Sequence, residues 1–548
     1  MKYLIVGGVA GGATAAARLR RIDENADIIL FEKGNYISFA NCGLPYYIGN
    51  TIERREALFL QTPISFGNRY NVDVRNNQEV ISINRTQKSV LVRKVNGDLY
   101  EESYDKLLLS PGANPFIPKL PGIDLDGIFT LRNIEDTDKI KSIAIAQSTQ
   151  KAVIVGAGFI GMEMVENLRQ LGIDVTIVEM ANRLLPMLDY EMSAFLKKEL
   201  EANSVKIYLQ SAVKQFERVG ERLSISLSTG VNLDADMVIL SVGVSPNVEL
   251  AQNANLTLGN TGGIWVNEYL QTSDSDIYAV GDAIEFPHPI THKPWLNFLA
   301  NPANRQGRLV ADNMVRGNVV KYEGAIGTAI AKVFSLTAAT TGLSEHKLQN
   351  ENISYLTSIT HSASHASYYP NSYQMAIKLT FSPENGKIFG AQIVGKEGVD
   401  KRIDQIALLI KNGGTIYDLT SIEHAYAPPF SSAKDPVAMA GYVACNILEG
   451  VMHTIKWNDI VDNKLPDGIF LDVRTIKEFS QGAIPNALNI PVDELRDRLD
   501  EIPNDKPIYI YCAIGLRGYV ALKILAQSGF TNLYNLSGGY RTYSTAIL

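Results

Sequence analysis

KYLIVGGVAGGATAAARLRRI, residues 2–22, runs from a short apolar strand through a glycine-rich turn into an alanine-rich helix. A second apolar strand, ADIILFEK, follows and brings Glu32 to its end. This order predicts a βαβ unit, the arrangement that sets a nucleotide pyrophosphate against a helix N-terminus. A near-copy starts at Lys151 with KAVIVGAGFIGMEMVENLRQLG and continues into IDVTIVEM, which carries Glu179. Two such units in one chain amount to an internal repeat at the scale of a domain.

In the second unit, Gly156-Ala157-Gly158-Phe159-Ile160-Gly161 matches GxGxxG between strand and helix. The first glycine makes the tight turn, the second lets backbone approach pyrophosphate, and the third packs helix on strand. Glu179 stands where a carboxylate would accept ribose hydroxyls and repel a 2′-phosphate, which favours NADH. Arg183 nearby leaves NADPH open. In the first unit the loop is Gly7-Gly8-Val9-Ala10-Gly11-Gly12, with Val9 at the second position. Glu32 restores the reading, and Tyr278-Ala279-Val280-Gly281-Asp282 adds an acid after a further buried strand. A carboxylate there could bind a sugar-phosphate chain longer than that of NAD.

The 548 residues predict three or four domains. Apolar content of 46% and charged content of 20% are those of a folded chain with a substantial core. The net charge of −7 argues against nucleic acid as a bulk partner. No apolar stretch is long enough to span a membrane, and the N-terminus lacks a signal peptide's pattern. Three cysteines, Cys42, Cys445 and Cys512, are too few for a disulfide framework and fit a reducing cytoplasm. Without a CxxC pair, no structural metal site is expected.

Cys42 lies in Ser38-Phe39-Ala40-Asn41-Cys42-Gly43-Leu44-Pro45-Tyr46. Gly43 and Pro45 suit a turn into a helix start, whose N–H groups would stabilise a thiolate. Position 47 is tyrosine, so the loop has no second thiol. A lone thiolate attacking a disulfide must form a mixed disulfide with the substrate itself.

The glycine loops, the Gly281-Asp282 pair and Tyr104-Asp105-Lys106-Leu107-Leu108-Leu109-Ser110-Pro111-Gly112 resemble the two-dinucleotide-fold flavoprotein reductases. The single-cysteine nonapeptide resembles the coenzyme A-disulfide reductases and their persulfide-reductase relatives. The resemblance implies FAD in the first unit and NADH or NADPH in the second. Lys33, Ser110, Gly112 and Gly243 then join the loop residues as cofactor contacts. It also implies a coenzyme A pocket built from Arg18 and Arg21 with Ser38, Asn41, Asn304 and Arg305. His365-Ala366-Ser367-Tyr368-Tyr369-Pro370 and Tyr426-Ala427-Pro428-Pro429-Phe430 resemble the family's C-terminal tyrosine segments, which reach the partner's cysteine across a homodimer. Tyr426 and either Tyr368 or Tyr369 are the candidates. A phenol there could protonate a departing thiolate or hydrosulfide.

PIYIYCAIGLR, residues 507–517, sets Cys512 between a buried strand and a helix, with Arg517 closing a short loop. Backbone N–H groups there can form a nest for an anion. With Leu471-Asp472-Val473-Arg474 and Gly482-Ala483-Ile484-Pro485-Asn486-Ala487, this end resembles a rhodanese domain. The expected fold is therefore α/β. An FAD domain spans 1–112 and 240–323, and an NAD(P)H domain 113–239. An α+β dimerisation domain covers 324–447, a linker 448–455 and a rhodanese domain 456–548. The expected chemistry is reduction of coenzyme A persulfide, polysulfide or coenzyme A disulfide, with sulfane-sulfur transfer at Cys512. An NADH oxidase or peroxidase working through a cysteine sulfenic acid is the alternative, although those relatives carry a histidine where this chain has Val9-Ala10-Gly11.

Overall fold

The computed structural model describes residues 1–547 and divides into two compact units. The first comprises Met1–Val178 and Ser211–Gly327. Its leading sheet is parallel, in the order Ile277–Ala279, Lys106–Leu109, Lys2–Val6, Asp27–Glu32, Asp73–Asn76. The central strands read as unbroken apolar runs because both of their faces are covered. Tyr3, Leu4, Ile5, Leu107, Leu108 and Leu109 are fully buried. Helix Ala10–Ile22 packs on helix Ala300–Arg316 so closely that a Cβ on Gly307 would lie 2.4 Å from the Gly11 carbonyl oxygen. A second parallel sheet includes Asp174–Val178, Lys151–Val155, Met237–Leu240 and Ile128–Thr130, with helix Phe159–Gln170 following its first glycine turn.

The second unit comprises Glu179–Gln210 and Thr328–Leu548. Within it a buried charge cluster ties Asp189 and Glu191 to the strand that carries Lys378. Lys378, 1% exposed, places its ammonium 2.9 Å from Asp189, 2.5 Å from Glu191 and 2.6 Å from Glu345. Asp189 also accepts the N–H groups of Glu345 and His346 and the Gln392 amide. Burial opposes the charge on Glu345, yet Lys378 and Lys456 hold its carboxyl down to about 2. The unit's antiparallel sheet runs Ala329–Val333, Leu336–Gly342, Ile388–Gly395, Gln374–Phe381, Leu356–Ala363. Helices Val399–Lys411 and Pro436–Leu448 follow it.

The C-terminal sheet is parallel, in the order His453–Ile455, Leu533–Leu536, Ile508–Tyr511, Ile469–Asp472, Leu488–Asn489. The stretch expected as a linker thus ends in an edge strand of this sheet, paired with residues 534–536. Among the described residues no helix is long and apolar enough to cross a membrane.

Candidate functional site

Gly7, at φ +99°, turns the chain so tightly that a Cβ would lie 2.1 Å from the Ser110 carbonyl oxygen. A Cβ on Gly12 would lie 1.9 Å from that of Gly7, so the loop tolerates no side chain at either place. Glu32 fixes the loop from below, accepting N–H groups from Gly8 at 2.9 Å and Gly34 at 2.8 Å. Each carboxylate oxygen keeps a lone pair for a ribose hydroxyl. A cavity of about 250 Å³ runs from Gly7–Gly11, Glu32 and Lys33 past Ser110 and Gly112 to Asp282. Burial pushes the Asp282 carboxyl up, opposed by Arg132. Asn41 stands on the same wall, and its side-chain oxygen is buried without a hydrogen-bond partner. Glycine backbone on the cavity wall, an acid at each end and an unmet acceptor fit a dinucleotide such as FAD.

The second loop repeats the logic. A Cβ on Gly156 would lie 2.4 Å from the Ser241 carbonyl oxygen, and one on Gly161 2.1 Å from that of Gly156. A Cβ on Gly158, which caps helix Phe159–Gln170, would have only the Ser241 oxygen within 4.0 Å. Its backbone is therefore open to a ligand, while Phe159 and Ile160 begin the helix. Gly243, at φ +113°, is likewise open. Glu179 accepts the Ala181 N–H at 2.8 Å, and Arg183 donates to the Pro186 carbonyl and the Asn182 side chain.

Cys42 sits in the turn Asn41–Gly43, exposed at the surface, just before helix Leu44–Ile48. A helix start was expected to favour its thiolate. The polypeptide does the reverse: partial desolvation of the sulfur, then the charges of Glu163 and Asp282, push the thiol up. A five-residue helix offers a weak dipole against two carboxylates. Glu163 was not foreseen, because it lies in helix Phe159–Gln170 within no recognisable motif. Burial raises its carboxyl to about 7, and the Tyr46 hydroxyl lies 3.4 Å from it. Only an acid on the inward face of that helix could have hinted at it.

The expected coenzyme A residues are only partly assembled. Arg18 donates twice to Asp312, at 3.1 and 2.8 Å, which ties it to the helix that carries Asn304 and Arg305. Thr14 donates to the Asn304 side chain, Arg305 lies 3.7 Å from Glu323, and Arg21 is exposed. Ser38 holds a left-handed φ of +47°, uncommon for serine, with its N–H bonded to the Gly8 carbonyl.

In the second unit the Tyr368 and Tyr426 hydroxyls lie 3.0 Å apart, both rings exposed. Tyr369 instead stands edge-on to His365. Cys512 is buried at the end of strand Ile508–Tyr511. Of the nest foreseen there, the Gly515 N–H donates to the sulfur at 3.1 Å. Arg517 binds Glu478 at 2.8 and 2.6 Å and also reaches the sulfur. Arg517 holds the Glu478 carboxyl down to about 2. Glu478 had gone unnoticed in the sequence, since its only signal is its place four residues after Arg474.

Two glycine turns between strand and helix, a lone exposed cysteine and a separate sulfur loop define the class: a two-dinucleotide-fold oxidoreductase acting at sulfur, extended by a rhodanese-like domain. Residues 1–307 match the pyridine nucleotide-disulphide oxidoreductase model, 328–437 its dimerisation domain and 457–546 the rhodanese-like domain. The chain belongs to the pyridine nucleotide-disulphide oxidoreductase family. The coenzyme A disulfide reductase of Staphylococcus haemolyticus (strain JCSC1435) is 36% identical over 444 residues, covering 81% of this chain and 99% of that protein. The structure of reduced Bacillus anthracis CoADR-RHD superposes with a TM-score of 0.97 at 48% identity, over 100% of this chain and 98% of that one. An NAD-dependent persulfide reductase from A. fulgidus gives 0.94 at 38% identity, over 99% and 100%.

Proposed function

We propose that the chain is an FAD-dependent, NADH- or NADPH-driven reductase of the sulfur–sulfur bond in coenzyme A disulfide or persulfide, with sulfane-sulfur transfer at Cys512. The observation that carries this reading is Cys42, an exposed thiol flanked by a residue of the FAD groove and unaccompanied by a second cysteine in its loop. The names of the relatives support the substrate class, and the rhodanese-like domain favours a persulfide over a plain disulfide.

Gly7, Gly8, Val9, Ala10, Gly11, Gly12, Glu32, Lys33, Ser110, Gly112 and Asp282 would hold FAD. Gly156, Gly158, Phe159, Ile160, Gly161, Glu179 and Gly243 would hold the nicotinamide cofactor. Bound FAD supplies the path by which two electrons pass from nicotinamide to sulfur. Cys42 attacks the coenzyme A sulfur of the substrate, forming a mixed disulfide and expelling hydrosulfide from a persulfide, or coenzyme A from a disulfide. Reduction of the mixed disulfide by two electrons returns the Cys42 thiolate and frees coenzyme A. Arg18, Arg21, Ser38, Asn41, Asn304 and Arg305 would line the coenzyme A path, with Arg18 acting alongside Asp312. In a homodimer, the Tyr368–Tyr426 pair would protonate the partner's leaving sulfur.

The test is anaerobic NADH oxidation with coenzyme A persulfide, coenzyme A disulfide, glutathione persulfide and polysulfide, with sulfide measured directly. Coenzyme A persulfide is expected to turn over fastest, and Tyr426→Phe to lower kcat. Sulfide release that survives Cys42→Ser defeats the reading.

A further inference from the structure

Leu356–Ala363 is an edge strand of the second unit's antiparallel sheet, yet Thr357, Ser358, Ile359, Thr360 and His361 are buried. A buried edge needs partners for its free N–H groups, and here the C-terminal domain supplies them. The Ile359 N–H donates to the Ser537 hydroxyl at 3.1 Å. The His361 ring stands edge-on to Phe195, and its Nε2 lies 2.8 Å from the Thr542 hydroxyl of helix Gly539–Ala546. That hydroxyl gives its one proton to the Gly538 carbonyl at 3.1 Å, so it accepts from the His361 Nε2–H. Burial brings the imidazole down to about 3, and the ring is neutral at working pH.

Gly538 and Gly539 lie between this strand and the Cys512 loop, both left-handed, at φ +72° and +61°. A Cβ on Gly538 would meet the Thr542 hydroxyl oxygen at 2.2 Å and Ile359 Cγ2 at 2.9 Å. One on Gly539 would meet the Cys512 carbonyl oxygen at 2.6 Å. The next two residues grip the loop. The Tyr540 N–H donates to the Cys512 carbonyl at 2.8 Å, and the Arg541 N–H to that of Ala513 at 3.0 Å. In a trans peptide the C=O and the following N–H point opposite ways. Pinning those two carbonyls therefore fixes the direction of the Ala513 and Ile514 N–H groups, the two that precede the Gly515 N–H on the sulfur.

We propose that His361, on a strand of the dimerisation domain, is a positioning residue for the chemistry of Cys512: through Thr542 and Gly538 it holds the turn whose N–H groups set the Cys512 loop. The inference rests on reading Cys512 as a sulfur-transfer nucleophile. The geometry of that loop is then completed by a second domain, and the C-terminal domain works as a docked part of the chain.

The test uses the full-length protein and follows sulfur transfer from thiosulfate to cyanide without NADH. In His361→Leu and in Thr542→Val, kcat should fall about 10-fold, the weight of one hydrogen bond. His361→Gln, which can place an amide N–H near the same point, should restore most of the loss. The double variant His361→Leu/Thr542→Val should lose no more than either single one, because both break one chain of contacts. NADH-driven reduction of coenzyme A disulfide, which runs at Cys42, is the control and should be kept in all four proteins. Full transfer in His361→Leu overturns the proposal, as do losses that multiply in the double variant. So does a loss that His361→Gln leaves unrepaired, or one matched by an equal loss of reduction at Cys42, since either marks a merely structural role. Absence of any Cys512-dependent transfer in the wild-type protein would overturn the reading of Cys512 itself and take the inference with it.

Discussion

Arg517 grips Glu478 through two hydrogen bonds of 2.8 and 2.6 Å while the same guanidinium reaches the Cys512 sulfur. The carboxylate therefore competes with the sulfur for one positive charge. Because the Glu478 carboxyl is held down to about 2, this pairing contributes above the ordinary carboxylate range and is lost only as pH falls through about 2. Working pH leaves it intact.

Glu478→Gln should free the Arg517 guanidinium to face the sulfur, and Arg517→Gln should remove it. Sulfur transfer from thiosulfate to cyanide at one fixed pH checks both, with kcat expected to fall at least about 10-fold in Arg517→Gln and to be kept in Glu478→Gln. Equal rates in all three proteins would show that the guanidinium does not serve the Cys512 loop.

Glu163 provides a second pH signature. Burial lifts its carboxyl to about 7 from an ordinary value near 4.5, so the folded protein binds that proton more tightly than the unfolded chain. Its contribution to stability is full below the ordinary value and is lost as pH rises through about 7, at most on the order of 3 kcal/mol. Glu163→Gln should flatten the stability profile across that window. It should also ease Cys42 ionisation, seen as faster alkylation at neutral pH. A variant whose unfolding midpoint keeps the wild-type pH slope would refute the assignment.

The glycines separate packing from binding. Gly161→Ala forces a Cβ to within 2.1 Å of the Gly156 carbonyl oxygen and should destabilise the unit by about 1–3 kcal/mol. Gly158→Ala meets no close atom, so stability should hold while KM for NADH rises. Thermal unfolding beside steady-state kinetics distinguishes the two. A Gly158→Ala protein with wild-type KM would remove the nucleotide from that loop.

Lys378 is the keystone of a cluster with Asp189, Glu191 and Glu345. Lys378→Met strands the buried Asp189 and Glu191 carboxylates, while Glu345 keeps Lys456, and should cost about 3–5 kcal/mol. The Tyr190–Trp457 stack, with ring centres 5.3 Å apart, offers a fluorescence reporter of unfolding in this unit. An unchanged denaturation midpoint would show that the cluster carries little of the unit's stability.

Much of this molecule is written locally. The strand–glycine–helix order at residues 2–22 and 151–172, the lone cysteine of the Asn41–Gly43 turn and the Cys512 loop all follow from short spacings, because a backbone turn or a helix start is decided within a few residues. Those spacings were enough to read the α/β class, the paired nucleotide folds and the sulfur loop. Packing alone decided what surrounds each reactive group: Glu163 beside the Cys42 thiol, Tyr368 rather than Tyr369 against Tyr426, Asp312 claiming Arg18, and Asp189 and Glu191 gathered on Lys378. These pairings join distant segments through burial and charge compensation, which depend on the completed fold and leave no periodic trace along the chain.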